Sequence, residues 1–118
     1  MPSVESELAR ARALTSPAWT GLDLVDREPI PSPADVGALD GFGLALADPP
    51  LRANVYVFDG WNAGAAVGDR LCEFVDGDPY HAVSAVNGAL LLFAVSEAPG
   101  EAGEVALDRL IDKFNGMF

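Results

Sequence analysis

One cysteine, one histidine and one lysine occur in 118 residues, and each scarcity removes a class of chemistry. The lone thiol, Cys72, can form no internal disulfide and no cysteine-based zinc cage. The single histidine, His81, is the one side chain whose ordinary titration falls near neutral pH, so any imidazole acid–base site has to include it. The longest purely apolar run, residues 89–95, is far shorter than the ~20 residues needed to cross a bilayer. The start, Met1-Pro2-Ser3 followed by Glu5, Glu7, Arg10 and Arg12, lacks the basic opening and apolar stretch of a secretory signal, which sets a cytoplasmic expectation. Basic residues are few as well: seven Lys and Arg face eighteen Asp and Glu, for a net charge of −11. That balance repels phosphate backbones and anionic lipid surfaces, because both are bound through Lys and Arg that displace counterions. Neither nucleic-acid binding nor membrane insertion is expected; a protein partner or self-association is. Solubility through self-repulsion is the plainest account of the acidity, and an acidic face docked on a basic partner is the sharper one.

Half of the residues are apolar, enough to offset the entropy of ordering over a chain long enough for one core and too short for two. A single domain over 1–118 follows, with 1–17 as a peripheral helix or arm and 28–38 as a proline-rich loop. Residues 4–14 are good helix formers behind a possible Ser3 cap, with a thin apolar stripe of Leu8, Ala11 and Leu14. Residues 21–27 suit a short edge strand. Prolines at 29, 31 and 33 remove backbone donors and favour extended chain over helix or central strand.

Residues 41–47 alternate Phe42, Leu44 and Leu46 with small residues, as a strand with one buried face does. Asp48-Pro49-Pro50 stops that strand, and residues 53–58, rich in β-branched and aromatic side chains, form the next, closed by Asp59-Gly60. Over residues 61–75, Ala63, Val67, Leu71 and Phe74 recur at helical steps. The strongest local feature follows: two β-type runs, 80–86 and 89–96, separated by Asn87-Gly88, a dipeptide suited to a type I′ turn. A two-residue loop there pairs Val86 with Ala89, Ser84 with Leu91 and Ala82 with Phe93. The second run is apolar on both faces, so it belongs mid-sheet with cover on each side. A last helix over 103–115 has Leu107, Leu110, Ile111 and Phe114 as its buried stripe, with Gly116 as its cap.

The fold class expected is α+β: a mainly antiparallel sheet of about four strands with two or three helices packed on it, around a β-α-β-β-α core. In element order this resembles a ferredoxin-like split β-α-β unit without its last strand, a place residues 41–47 can fill. The whole order also resembles Roadblock or longin layering. The likeness is one of element order, with no sequence motif of either family, and element order says little about function.

Several places carry residues of chemical interest. Residues 59–68 join strand to helix with glycine at 60, 64 and 68; amides at such a helix start can hold an anion. The lysine and hydroxyl of a P-loop and the G-x-G-x-x-G spacing are missing, so close approach of the helix to the sheet is the preferred explanation. Asp76, Asp78 and His81 cluster around one turn but fall short of the ligand count that zinc or calcium needs; no metal and no cofactor is expected. Ser84 has no nucleophile-elbow context, and Cys72 lies mid-helix in an acidic setting that does not favour a thiolate. Trp19, Trp61 and Tyr80 are candidates to line a groove. Trp61, Tyr80 and His81 form the candidate ligand-binding set, with no catalytic residue assigned. With so few parts for catalysis, the function expected is a non-enzymatic binding or interaction domain, accessory or regulatory. Its rivals are a small-molecule or enzymatic domain with a pocket near Trp61, Tyr80 and His81, and an acidic inhibitor or immunity-type protein presenting Asp23, Asp26, Asp35, Asp40 and Asp48.

Overall fold

The computed structural model describes residues 3–75, 81–97 and 101–116. It is an α+β arrangement: helices α1 (Val4–Leu14) and α2 (Pro17–Thr20), strands β1 (Val25–Arg27), β2 (Asp40–Leu46) and β3 (Leu51–Val57), helix α3 (Trp61–Val75), strands β4 (His81–Asn87) and β5 (Leu90–Ser96), and helix α4 (Glu101–Phe114). The strands form one five-stranded sheet in the order β1-β2-β3-β5-β4, with every neighbouring pair antiparallel. The sheet therefore has one strand more than expected, because the short run at 25–27 pairs with β2. A second short helix forms after α1, where Ser16 accepts from the Trp19 amide and Pro17 takes the first turn, a position that needs no amide donor. β3 and β4 run parallel to each other with β5 between them, since each is antiparallel to β5.

Strand alternation sends side chains to two cores. Phe42, Leu44, Leu46, Leu51, Ala53, Val55, Val57, Leu90, Leu92 and Ala94 meet Ala11 of α1 and Ala106, Leu107, Leu110 and Phe114 of α4. Full burial of each such Leu or Phe stabilises the fold by roughly 1.5–3 kcal/mol. α1 lies on this face despite its thin stripe: Ala11 is fully buried, and Val4, Leu8 and Leu14 pack beside it. On the other face, Tyr56, Phe58, Leu91, Phe93 and Val95 meet Val67 and Leu71 of α3, with Val36 and Ala38 from the proline-rich segment.

α3 spans the expected residues, but its buried line is rotated: Ala63 is exposed, while Gly64, Val67 and Gly68 are buried. A Cβ at Gly68 would stand 2.9 Å from Leu91 Cδ1 and 3.0 Å from Ser84 Oγ, so glycine there lets the helix backbone settle onto the sheet.

The hairpin forms at the expected place with a shifted register. Asn87 pairs with Leu90, Val86 with Leu91 and Ser84 with Phe93, so Gly88 and Ala89 make the turn. Gly88 has φ +61° and among the described residues only glycines have positive φ, so Ala89 does not, which is a II′ rather than a I′ turn. Asn87 is kept in the strand by its side chain: Nδ2 donates to the Phe114 carbonyl at 2.8 Å, and Oδ1 accepts from Arg10 Nη1 at 2.8 Å. The partner of each β4 residue moves by two positions, which preserves parity, so the expected face assignments hold.

Candidate functional site

β2 and β3 present an unusual face on the α3 side. On β2 the residues are Gly41, Gly43 and Ala45, and on β3 they are Arg52, Asn54 and Tyr56. A helix has no apolar surface to seat on glycines and polar groups, and the proline-rich segment lies there instead. Asn54 Nδ2 donates to the Ile30 carbonyl at 2.7 Å, and the Tyr56 hydroxyl donates to the Pro31 carbonyl at 2.5 Å. A Cβ at Gly43 would meet the Arg27 carbonyl oxygen at 2.6 Å and Pro29 N at 2.9 Å, and one at Gly41 would meet Pro33 Cγ at 3.3 Å. The chain between β1 and β2 therefore folds back across the small-residue face and is latched by two β3 side chains.

Between this segment and α3 the sheet is left uncovered, and a cavity of about 440 Å³ opens there. Phe93 and Val95 of β5 floor it, Leu71 of α3 forms one wall, and Ile30, Pro31 and Val36 form the other. Its polar lining is Asp35, Arg52 and Asn54. Arg52 Nε lies 2.9 Å from Glu97 Oε1 but is not aligned for a hydrogen bond to it, so the pair is held by charge proximity. Burial pushes the Tyr56 phenol up to about 12, with the charge of Asp35 adding to the rise and the hydrogen bond with Asn54 opposing it. The phenol is therefore a neutral donor at physiological pH and serves as a latch.

Two members of the candidate set from the sequence, Trp61 and His81, start elements at opposite ends of the strands. Trp61 opens α3 just beyond the end of β3, and Val57 pairs with Leu90, the residue opposite Asn87. His81 opens β4 at the other end of that strand, opposite Ser96. Six residues of strand separate the two ends, roughly 20 Å. His81 is exposed and shares the parity of Val83 and Ala85, which pack against the α4 face, whereas the cavity lies on the α3 face. Tyr80, Asp76 and Asp78 lie outside the described residues. Among the described residues no group of three or more His, Cys, Asp or Glu side chains is placed to hold a metal ion. Ser84 faces Gly68 of α3, and Cys72 is half-buried beside the α3-face core. Trp19 is used structurally, donating from Nε1 to the Lys113 carbonyl at 2.7 Å with the Lys113 ammonium over its ring.

Four of the five aspartates are placed by the elements that carry them. Asp40 opens β2 and Asp48 follows its far end, Asp26 on β1 is paired with Arg12 at 2.6 Å, and Asp35 borders the cavity. Among the described residues no helix is long and apolar enough to cross a membrane. The sequence reading missed Arg52, Asn54 and the two walls of the cavity. The alternation of Arg52, Asn54 and Tyr56 opposite Gly41 and Gly43 was the available clue, since a small and polar face on adjacent strands calls for cover other than a helix. Comparison with protein-family models, with curated proteins and with solved structures finds no match to this chain.

Proposed function

We propose that this chain is a small acidic, non-enzymatic interaction domain, accessory or regulatory in role, that receives an apolar side chain of a protein partner in the cavity between residues 28–38 and α3. The observation that carries the reading is the cavity itself: apolar on its floor and walls, and open to solvent beside the exposed Ile30. Of its three polar groups, Asn54 is hydrogen-bonded to the Ile30 carbonyl and Arg52 lies beside Glu97, which leaves the Asp35 carboxylate at the rim. Few remain to orient a small ligand or to move protons, whereas a protein partner takes its orientation from contacts around an apolar anchor. The net charge of −11 favours basic residues around that anchor. The single domain over 1–118 and its ferredoxin-like or Roadblock/longin-like layering belong to the same proposal, supported by the parallel β3 and β4 with β5 between them.

A second reading, a small-molecule site, is favoured by the cavity volume, which falls within the range of ligand pockets. Selection from a displayed random-peptide library separates the two. Peptides with one apolar anchor flanked by basic residues are expected to enrich on the wild type. They should bind about tenfold or more weakly to Leu71→Glu and Val36→Glu variants that retain the wild-type circular dichroism spectrum. Equal binding to the variants, or no enrichment beside clear binding of apolar small-molecule fragments, overturns the first reading.

A further inference from the structure

The two edges of the sheet are built differently. β1 is three residues long, wholly exposed, carries Asp26 and Arg27, and is followed by Glu28 and Pro29. Shortness, charge and proline are the usual devices that keep an edge from pairing with another chain. β4 has none of them: seven residues, His81-Ala82-Val83-Ser84-Ala85-Val86-Asn87, without Asp, Glu, Lys, Arg or Pro, and an unbulged register along its full length with β5. Because Asn87 and Leu90 close the two-residue turn, ladder alternation turns the N–H and C=O of Ser84 and Val86 away from β5. No backbone bond from these groups to any other described residue is present. Side chains on both faces of this edge, Val83, Ala85 and Val86 among them, are only half-buried.

We propose that the β4 edge is a homodimer interface, in which β4 pairs antiparallel with β4 of a second copy through residues 83–87 and the two sheets become one. The occupant follows from charge. A chain of net charge −11 repels its own copies wherever aspartate and glutamate face each other, and the strand that would make this contact, residues 81–87, carries neither. A two-fold axis at Ala85 sets Ser84 against Val86 of the partner subunit, and each such pair exchanges both backbone hydrogen bonds. Val83 then faces Asn87 of the partner subunit. An isologous contact of this kind needs a self-complementary strand, and β4 is one.

The helices fit the same geometry. α3 packs on both β4 and β5, as does α4, so each helix axis lies between those strands. With strands about 4.8 Å apart, the two copies of α3 stand about 10 Å apart, within the distance at which helices pack.

Sedimentation equilibrium over a concentration series, at low and high salt, together with residue-resolved amide exchange tests the interface. The expected result is a species of twice the chain mass, strengthened by salt because screening relieves the repulsion. In that species the Ser84 and Val86 amides exchange at least about tenfold more slowly than in the dilute monomer, while the Asp26 amide on β1 is unchanged. Ser84→Pro or Val86→Pro, each removing an outward N–H that the ladder does not use, should return the protein to monomer with its circular dichroism intact. Leu71→Glu, which tests the cavity, should leave the dimer in place. A chain that stays monomeric at high salt and about 1 mM overturns the proposal, as does a dimer whose Ser84 and Val86 amides stay fast. Slowing of those amides only on addition of a different protein also overturns it, in favour of a foreign strand.

Discussion

On the face of the sheet under α1, α2 and α4, Leu107, Leu110 and Phe114 of the helix that packs on β4 and β5 are fully buried, and a cavity at its margin, beside Val4, Glu7 and Val57, measures about 70 Å³. On the opposite face α3 covers the β4 and β5 side, a crossing of irregular chain with one 3-10 turn at Ala34–Val36 covers the β2 side, and a cavity of about 440 Å³ remains between them. A helix brings a continuous apolar stripe to a sheet. Irregular chain brings backbone groups that must be hydrogen-bonded, here by Asn54 and Tyr56, and it does not fill the volume beside it. The closed face holds the fold together, and the open face is the one available for binding.

That contrast sets the order of expected effects. Phe114→Ala should cost about 3–5 kcal/mol in denaturant unfolding, because a fully buried ring leaves a cavity that its neighbours only partly fill. Leu71→Ala, from a half-buried wall of the open face, should cost clearly less; equal losses would break the distinction between the faces. Asn87→Ala removes the contacts tying the hairpin to Arg10 and to the end of α4, at about 1–3 kcal/mol. Asn54→Ala should cost about 1 kcal/mol while making the amides of residues 28–38 exchange faster, and an unchanged exchange pattern would count against the latch.

The glycines of α3 sharpen the comparison by sign. Gly68→Ala drives a methyl into Leu91, which is fully buried and has nowhere to go, and should destabilise by about 1 kcal/mol after the gain in helix propensity. Gly64→Ala meets Phe58 at 3.4 Å, an ordinary contact, and should be neutral or stabilising by about 0.5 kcal/mol. Thermal unfolding of both variants checks the pair.

The last effect is confined to high pH. The Tyr56 phenol is raised from 10.0 to about 12 in the folded chain, so the folded state holds its proton where the unfolded state has lost it. This contribution is fully present below about pH 10 and is lost as pH rises toward 12. Tyr56→Phe should flatten that limb of the stability profile relative to wild type.

Much of this architecture could be read from the residues. Helix α3 and strands β2 to β5 announce themselves by period, and the asparagine–glycine corner by turn chemistry. Where the reading slipped, tertiary contacts decided: Asn87 suits a I′ turn in isolation, but the carbonyl of Phe114 and the guanidinium of Arg10 hold it in the strand. The edge strand expected within 21–27 is present and is limited to the three residues that pair with β2. Trp61 and His81 are separated by topology, since the start of α3 and the start of β4 stand at opposite ends of the strands. The cavity was the hardest to foresee, because it is a space between two coverings and no single residue encodes it.

The most direct test is a two-dimensional amide and methyl NMR titration with a small apolar fluorophore such as anilinonaphthalene sulfonate. The cross-peaks of Val36, Asn54, Leu71, Phe93 and Val95 should move together and saturate, while those of Leu44, Leu107, Leu110 and Phe114 stay fixed. Shifts centred on α4, or spread evenly over both faces, would contradict the division of the sheet into a closed face and an open one.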